Sequence, residues 1–171
     1  MAKRVNKKEL MLIDELYYIE NQQKPYTGTY FFEHDNGQLG EEGELKNGKP
    51  HGRLQIWNDD GVKVLDANYK DGKKHGKVKM YYYDGNIKSE MFLKNNRRSG
   101  KAYVWYQNGN KKLEAMYVND KLEGLQIKWH ENGVKNMEVY FKNNIEDGGK
   151  VVWNEEGVKI FEGIFEEGEL L

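Results

Sequence analysis

The chain has 171 residues, with 27 Lys and Arg against 28 Asp and Glu, and no Cys. This length suits one domain or one short repeat array. The balanced charge excludes a dedicated nucleic-acid binder, which needs a surplus of Lys and Arg to neutralise phosphates, and the lack of Cys excludes disulfides, thiolate zinc sites and a Cys nucleophile. The longest apolar run, Leu10–Ile13, is too short for a membrane span or a signal-peptide core. We therefore expect a cytoplasmic chain, or an exported one if a signal peptide was removed before residue 1.

Residues 1–27 precede the repetitive part of the sequence and are predicted to form an N-terminal tail and cap. The segment from Lys3 to Lys8 is predicted to be a solvated basic tail, whereas Leu10 to Ile19 is apolar enough to pack on the residues that follow. Helix and strand are both possible for this cap. The aromatic and β-branched residues Tyr17 to Ile19 favour a strand near its end.

From Gly28 to Leu171 the sequence repeats every 24 residues. If the first glycine of each repeat is counted as position 0, a second glycine stands at position 9, an acid at position 14 and a large apolar or aromatic residue at position 17. Position 5 is aromatic in every repeat except the first. The first glycines are Gly28, Gly52, Gly76, Gly100, Gly124 and Gly148. Such a fixed period is typical of repeat architectures, so we predict six repeats over residues 28–171.

Two turn signals in each repeat predict two antiparallel strands. One is an Asn-Gly or Asp-Gly pair in the first five repeats, such as Asn36-Gly37, and the other follows about eleven residues later, such as Asn47-Gly48. Both supply the positive φ angles that two-residue hairpin turns need. The segments between them are rich in Val, Ile, Tyr and Trp and too short for helices. The predicted fold is all-β, an elongated and twisted antiparallel array of β-hairpins with about two strands per repeat.

Side-chain alternation predicts which face of the array is buried. In the second strand of each repeat, positions 13, 15 and 17 share one face, and position 15 is small in four repeats. We infer that the ring at position 5 packs over position 15, and that one repeat alone cannot fold. In the first strand, positions 2 and 4 are out of phase with position 5, which predicts a bulge between them. The fifth repeat differs, because Leu125, Ile127 and Trp129 are in phase.

The segment from Glu42 to Gly52 resembles the MORN repeat (membrane occupation and recognition nexus), as does Asp66 to Gly76. The stretch from Gly76 to Glu90 is similar to the bacterial MORN variant of YwqK-type antitoxin proteins, and so is the lead-in from Leu16 to Gly28. The resemblance covers residues 16–171. It implies a twisted array of β-hairpins that binds other proteins, some of them as antitoxins.

No catalytic, cofactor or metal site is predicted. His51 and His75 share one repeat column, and no second pair of ligands has matching spacing. The acids at position 14 are expected to form a solvated ladder, paired with lysines at position 18 or 21, each pair worth about 0–1 kcal/mol. The sequence contains neither a nucleophile elbow nor a phosphate-binding glycine loop. We therefore predict a protein that is not an enzyme.

Net charge varies along the array. The six repeats carry −3, +1, +4, +1, −1 and −4. The acidic ends either oppose head-to-tail stacking through open edge strands or simply aid solubility.

Aromatic residues accompany the basic centre of the array. Aromatic side chains beside Arg and Lys are typical of interface hot spots, so we hypothesise that a protein partner, acidic at the contact, docks over the third and fourth repeats. Extra packing within a thin sheet is the alternative explanation. The predicted contact residues are Tyr82, Tyr83, Phe92, Arg97, Arg98, Tyr103 and Tyr106.

These features predict a non-enzymatic repeat protein that mediates protein–protein interaction, with the antitoxin-like or immunity partner of a toxin as its specific form. The alternative is an exported or surface-associated repeat protein that binds membrane headgroups through the central basic patch. Because acidic repeats flank that patch, we expect little membrane binding. An enzyme would need a pocket with convergent polar groups, which a single thin sheet rarely forms.

Overall fold

The computed structural model describes residues 4–171, which form β-strands with one 3₁₀ turn at Lys7–Glu9 and no α-helix within that range. The strands are β1 (Arg4–Asn6), β2 (Leu10–Ile13), β3 (Leu16–Ile19), β4 (Gly28–Glu33), β5 (Leu39–Lys46), β6 (Lys49–Trp57), β7 (Lys63–Lys70), β8 (Lys73–Tyr81), β9 (Ile87–Lys94), β10 (Arg97–Trp105), β11 (Lys111–Val118), β12 (Lys121–Leu122), β13 (Gly124–Trp129), β14 (Lys135–Lys142), β15 (Ile145–Trp153), β16 (Lys159–Glu166) and β17 (Glu169–Leu170). The predicted all-β class and the antiparallel array of hairpins are confirmed.

The residues up to Gly85 and those from Asn86 onward form two compact units. In the first unit the strands are ordered β1-β4-β5-β6-β7-β8, and β2 pairs with β3 in a separate hairpin. In the second unit the order is β9-β10-β11-β13-β14-β15-β16-β17, with β12 also paired with β11. The boundary between the units falls inside the third repeat, between its two strands.

The N-terminal segment differs from the expected solvated tail. Strand β1 pairs in parallel with β4, and Val5 is buried against Tyr26 and Leu45. The guanidinium of Arg4 lies 4.2 Å from the ring centroid of Phe31, so the charge rests on an aromatic face. The tail prediction is therefore wrong over residues 4–8, and Lys3 lies outside the described residues. A single apolar residue among cations gives no periodic signal, which is why the sequence does not show this strand.

The cap over Leu10 to Ile19 forms the hairpin β2–β3, with Leu10 opposite Ile19. The strand predicted at its end is confirmed. This hairpin contacts the main sheet of the first unit through the amide of Tyr17, which donates to the carbonyl of Gly48 at 2.9 Å.

The two turns of each repeat have different conformations. At Asn47-Gly48 both residues have positive φ, 49° and 75°, as in the predicted two-residue turn. At Asn36-Gly37 only the glycine does, and the loop contains three residues closed by the amide of His34, which donates to the carbonyl of Gln38 at 2.8 Å. The prediction of a two-residue turn is wrong there, because the Asn36 side chain accepts from the Gln38 amide at 3.0 Å and keeps its own backbone out of the left-handed region.

A register shift marks the end of the first strand in the first, second, fourth, fifth and sixth repeats. It lies between Ile56 and Trp57 in the second repeat, where the predicted bulge is confirmed. The same shift lies between Lys128 and Trp129 in the fifth repeat, although the apolar residues there are in phase. The bulge therefore belongs to the repeat geometry and does not depend on the apolar pattern.

The predicted buried face is confirmed. At position 15, Ala67 and Val139 are fully buried and Ala115 nearly so, whereas their neighbours at positions 16 and 18 are exposed. We call the face with positions 13, 15 and 17 the inner face, and the face with positions 14, 16 and 18 the outer face. Because directly opposed residues of paired strands share a face, positions 2 and 4 lie on the inner face and positions 1 and 3 on the outer face.

The ring that covers position 15 comes from a different place than predicted. A Cβ atom on Gly43 would lie 2.6 Å from the hydroxyl of Tyr30, which stands at position 2 directly opposite. The first repeat has Glu33 and no ring at position 5, so Tyr30 takes this place there. In the sixth repeat, the atoms nearest a Cβ atom on Gly163 belong to Leu170 and Phe161 and not to Trp153 at position 5. Burial and the hydrogen bond to Glu41 raise the pKa of the Tyr30 hydroxyl. Trp57, at position 5, instead has the ammonium of Lys63 5.6 Å from its ring centroid.

Candidate interaction surface

Position 16 on the outer face changes character between the two units. In the first unit it holds the polar residues Glu44 and Asn68. In the second unit it holds four exposed apolar residues, which we call the apolar row: Phe92, Met116, Tyr140 and Ile164, exposed by 45%, 40%, 48% and 61%. The same repeat geometry thus presents a polar surface on one unit and an apolar surface on the other.

The row is extended by residues on the strands between its members. Lys101 lies opposite Met116, Leu125 opposite Tyr140 and Gly149 opposite Ile164. Since adjacent strands lie about 4.8 Å apart, successive members of the row are separated by about 10 Å. A second, half-buried apolar line runs beside it at position 3 and consists of Tyr103, Ile127 and Val151.

A groove of about 340 Å³ opens on this face beside the middle of the row. Gly124 lines the groove without a side chain, and a Cβ atom there would have no atom within 4 Å. The groove is lined by Lys101, Glu114, Ala115, Met116, Glu123, Gly124, Leu125 and Ile127. A depression of this kind can accept a side chain from another molecule.

The acids of the outer face are neutralised by lysines of the same strand. Lys111 lies 3.0 Å from Glu114, and Lys159 lies 2.7 Å from Glu162. The ion pairs expected along this ladder are thus present in these repeats, but the lysine comes from position 11 and not from the predicted positions 18 or 21. Three residues along one strand place the two charges within reach, so the acids add little net charge to the middle of the face.

Among the residues that the structure describes, charge without an ion-pair partner of the opposite sign remains at the two ends of the row. At the β9–β10 end, Lys94 lies opposite Arg97, whereas Lys101 on the same face is paired with Glu114 at 3.6 Å. At the β16–β17 end, Glu166 lies opposite Glu169. The apolar row therefore runs from a cationic end to an acidic end.

The structure brings three of the predicted contact residues onto this surface. Tyr103 lies opposite Glu90, and Phe92 follows Glu90 on the same face. Arg97 flanks the neighbouring turn on that face. These three residues were selected as aromatics and cations near the basic centre, and the structure places them at the cationic end of the apolar row.

Arg98 lies on the opposite side of strand β10. Its guanidinium is 4.1 Å from the ring centroid of Tyr117, and its Nε donates to Asp120 at 3.2 Å. The backbone amide of Arg98 also donates to Asp120 at 2.8 Å, and this bond, before the side chain, lowers the pKa of that carboxyl. The charge of Arg98 is thus used within the second unit.

Tyr106 also has a partner within the fold. Its hydroxyl donates to the carbonyl of Trp129 at 2.9 Å. Tyr106 stands at position 6, where His34 and His130 make the corresponding bond to the carbonyl of the next repeat. The remaining two predicted residues, Tyr82 and Tyr83, belong to the first unit, where Tyr83 is 80% exposed.

Sequence reasoning missed Met116, Tyr140 and Ile164. The signal was the change of position 16 from polar to apolar along the array, which becomes visible only when each column is compared between early and late repeats. Within residues 4–171 no three His, Asp or Glu side chains are grouped as metal ligands. Over the same residues, the structure contains no helix with the length and apolarity of a membrane span.

Comparison with known families identifies the repeat. The family model described as MORN repeat variant matches residues 74–95, 98–119 and 122–143. No curated protein matches the chain. MORN repeats generally act as binding modules and are typically without catalytic activity. The chain therefore contains three consecutive repeats of the MORN variant type, and the last two matches lie in the unit that carries the apolar row.

Proposed function

We propose that this chain is a non-enzymatic interaction module that binds a protein partner through the outer face of its second unit. The observation that carries this proposal is the apolar row, four exposed apolar side chains at a position that is polar in the first unit. Contiguous exposed apolar surface in a soluble protein marks interaction sites. Aromatic residues and Met are also enriched in the cores of protein interfaces.

The cationic end of the row defines the chemistry of the partner. Phe92, Tyr103 and Arg97 share the outer face there, beside Lys94 and Lys101. Tyr and Arg are among the residues that contribute most to binding energy at interfaces. A partner that fits this end presents carboxylates beside an apolar patch. This is the acidic contact hypothesised from the sequence, with Arg97 on this face and Arg98, the other predicted cation, on the opposite side of the strand.

The specific form that we propose is the antitoxin-like or immunity partner of a toxin. Two features support it: the resemblance of the third repeat and the lead-in to antitoxin proteins, and a functional surface that is a face and not a pocket. An inhibitor of this kind acts by covering a surface of its target, for which an exposed sheet face is suited.

Capture of the partner from the native host tests the proposal. The wild-type chain, Met116→Arg and Asn68→Arg are immobilised in parallel; the last two place the same charge at position 16 of the second and first units. We expect the wild type and Asn68→Arg to retain one common protein that Met116→Arg loses, because a charge in the apolar row must be desolvated on binding. Circular dichroism and thermal unfolding establish that both variants are folded.

The captured protein is then purified and its binding is measured directly. Arg97→Glu is expected to slow association and to reduce its dependence on salt, since exposed charges at an interface act mainly on the association rate. Growth of cells that express the partner, with and without this chain, tests the antitoxin form. Equal capture by all three proteins contradicts the assigned face, and growth that is unaffected by the partner contradicts the antitoxin form.

A further inference from the structure

We propose that, in the free protein, the outer face of the second unit is covered by a second copy of the chain, packed antiparallel about a two-fold axis. This inference rests on the proposed function in one respect, the assignment of that face as the binding surface. It adds an occupant that competes with the partner. Binding of the partner then requires the two copies to separate.

Charge complementarity selects the second copy as the occupant. Lys94 and Arg97 mark one end of the apolar row, and Glu166 and Glu169 mark the other. When two copies face each other in antiparallel orientation, each cationic end lies across from the acidic end of the other copy. A parallel orientation would place like charges together. The face is thus complementary to itself in the antiparallel arrangement, which closes with two-fold symmetry.

The apolar side chains are arranged for the same orientation. In the antiparallel pairing Phe92 faces Ile164 of the other copy, and Met116 faces Tyr140. A Cβ atom on Gly149, the residue opposite Ile164, would have no atom within 4 Å, so there is room beside Ile164 for a large ring. Packed sheets lie about 10 Å apart, which allows such side chains to interdigitate.

The centre of the face is suited to burial. The axis passes between Met116 and Tyr140, next to the half-buried Leu125 and the groove of about 340 Å³. The acids nearest the axis, Glu114 and Glu138, are each paired with a lysine three residues earlier in the strand. An unpaired charge in this place would oppose association, because its desolvation would not be compensated.

The first unit does not extend this contact. On its outer face Arg53 binds Asp66 through two nitrogens, at 2.9 and 2.6 Å, and this pair lowers the pKa of Asp66. Position 16 there is Glu44 or Asn68. We therefore expect the contact between copies to be confined to the second unit.

Sedimentation equilibrium of the purified full chain tests this inference. We expect a monomer–dimer equilibrium between about 1 and about 200 µM, with Met116→Arg weakening dimerisation by about tenfold or more. Asn68→Arg, with the same new charge at the same repeat position of the first unit, is expected to dimerise like the wild type. A wild-type chain that stays monomeric over this range, or a dimer that Met116→Arg leaves intact, overturns the inference.

A charge exchange tests whether the charged ends of the two rows pair across the contact. One variant carries Lys94→Glu and Arg97→Glu, so that both ends of its row are acidic; the other carries Glu166→Lys and Glu169→Lys, so that the acidic end becomes basic. We expect each to dimerise weakly alone and the mixture to form the heterodimer. Equal association of each variant with itself and with the other contradicts the antiparallel arrangement. A monomeric wild type that still captures the partner removes the dimer alone, whereas a dimer that captures no partner removes the proposed function alone.

Discussion

Position 6 shows that a repeat column can be defined by a hydrogen bond and not by a residue type. The ring nitrogens of His34 and His130 and the hydroxyl of Tyr106 each lie 2.9 to 3.0 Å from a backbone carbonyl 23 residues later. The side-chain amide of Asn36 donates to the carbonyl of Asp59 at 2.7 Å in the same way. These bonds tie the turn to the following repeat, which is how these neighbouring repeats stabilise one another.

The bond of Tyr106 has a measurable consequence. Tyr106→Phe removes one hydroxyl donor from the carbonyl of Trp129, and we expect it to lower the free energy of unfolding by about 0.5–1.5 kcal/mol. Urea denaturation measures this change. Tyr83→Phe makes the same chemical change at a side chain that is 80% exposed and is expected to leave stability unaltered. Equal effects of the two variants would show that the hydroxyl of Tyr106 does not hold the repeats together.

The sequence could predict part of the surface at this scale. Phe92, Arg97 and Tyr103 were found because aromatic and cationic residues cluster near the basic maximum. Arg98 and Tyr106 have the same composition signal but act within the fold, and the sequence cannot separate them. Their partners, Asp120 and the carbonyl of Trp129, come from other strands, so only the register and the side-chain direction reveal the contact.

The strands themselves were largely predictable, because a fixed period, paired turn signals and alternating burial all indicate the same hairpins. The turn at Asn36-Gly37 was not, since an Asn-Gly pair suits both a two-residue turn and a three-residue loop. Strand β1 was not predictable either, because three residues are too few to show a period. The missing information in both cases is a long-range or backbone feature that residue types do not encode.

The adjacent residues Gly148 and Gly149 differ in whether their backbone conformation and surroundings would accept a side chain. Gly148 has a φ of 119°, and a Cβ atom there would lie 2.9 Å from the Cβ of Tyr140. We expect Gly148→Ala to lower the free energy of unfolding by about 1–2 kcal/mol or more, because it adds a steric conflict to an unfavourable φ. Gly149 has no positive φ and no atom within 4 Å of a Cβ position.

Gly149→Ala is therefore the matched control, expected to change stability by less than about 0.5 kcal/mol. Thermal and urea unfolding of both variants measure the difference. Similar losses at the two positions would show that the backbone at Gly148 is not under the constraint that its φ implies.

At the scale of the molecule, strand β1 closes one edge of the first unit. Exposed edge strands present unpaired amides and carbonyls on which other chains can pair. The three residues of β1 cover β4 in parallel, with Val5 directly opposite Tyr30 and buried against Tyr26 and Leu45. This strand protects the sheet although its sequence resembles a solvated tail.

Val5→Asp is expected to detach β1, because it places a carboxylate among buried apolar side chains. The uncovered edge of β4 should then promote association, seen as light scattering that rises with protein concentration and temperature. Leu12→Asp, on strand β2 where the side chain is 62% exposed, is the control and should remain clear. Clear solutions of both variants would show that β1 does not guard this edge.

The two faces of the hairpins have separate roles, and this determines which substitutions alter binding and which alter the fold. The inner positions, the bulges and the turn bonds hold the scaffold, while position 16 adds one outward side chain per hairpin at intervals of about 10 Å. Single substitutions at position 16 can therefore change what the surface binds without altering the hairpin scaffold. The two units of this chain, one with polar residues at this position and one with apolar residues, present two different surfaces on the same scaffold.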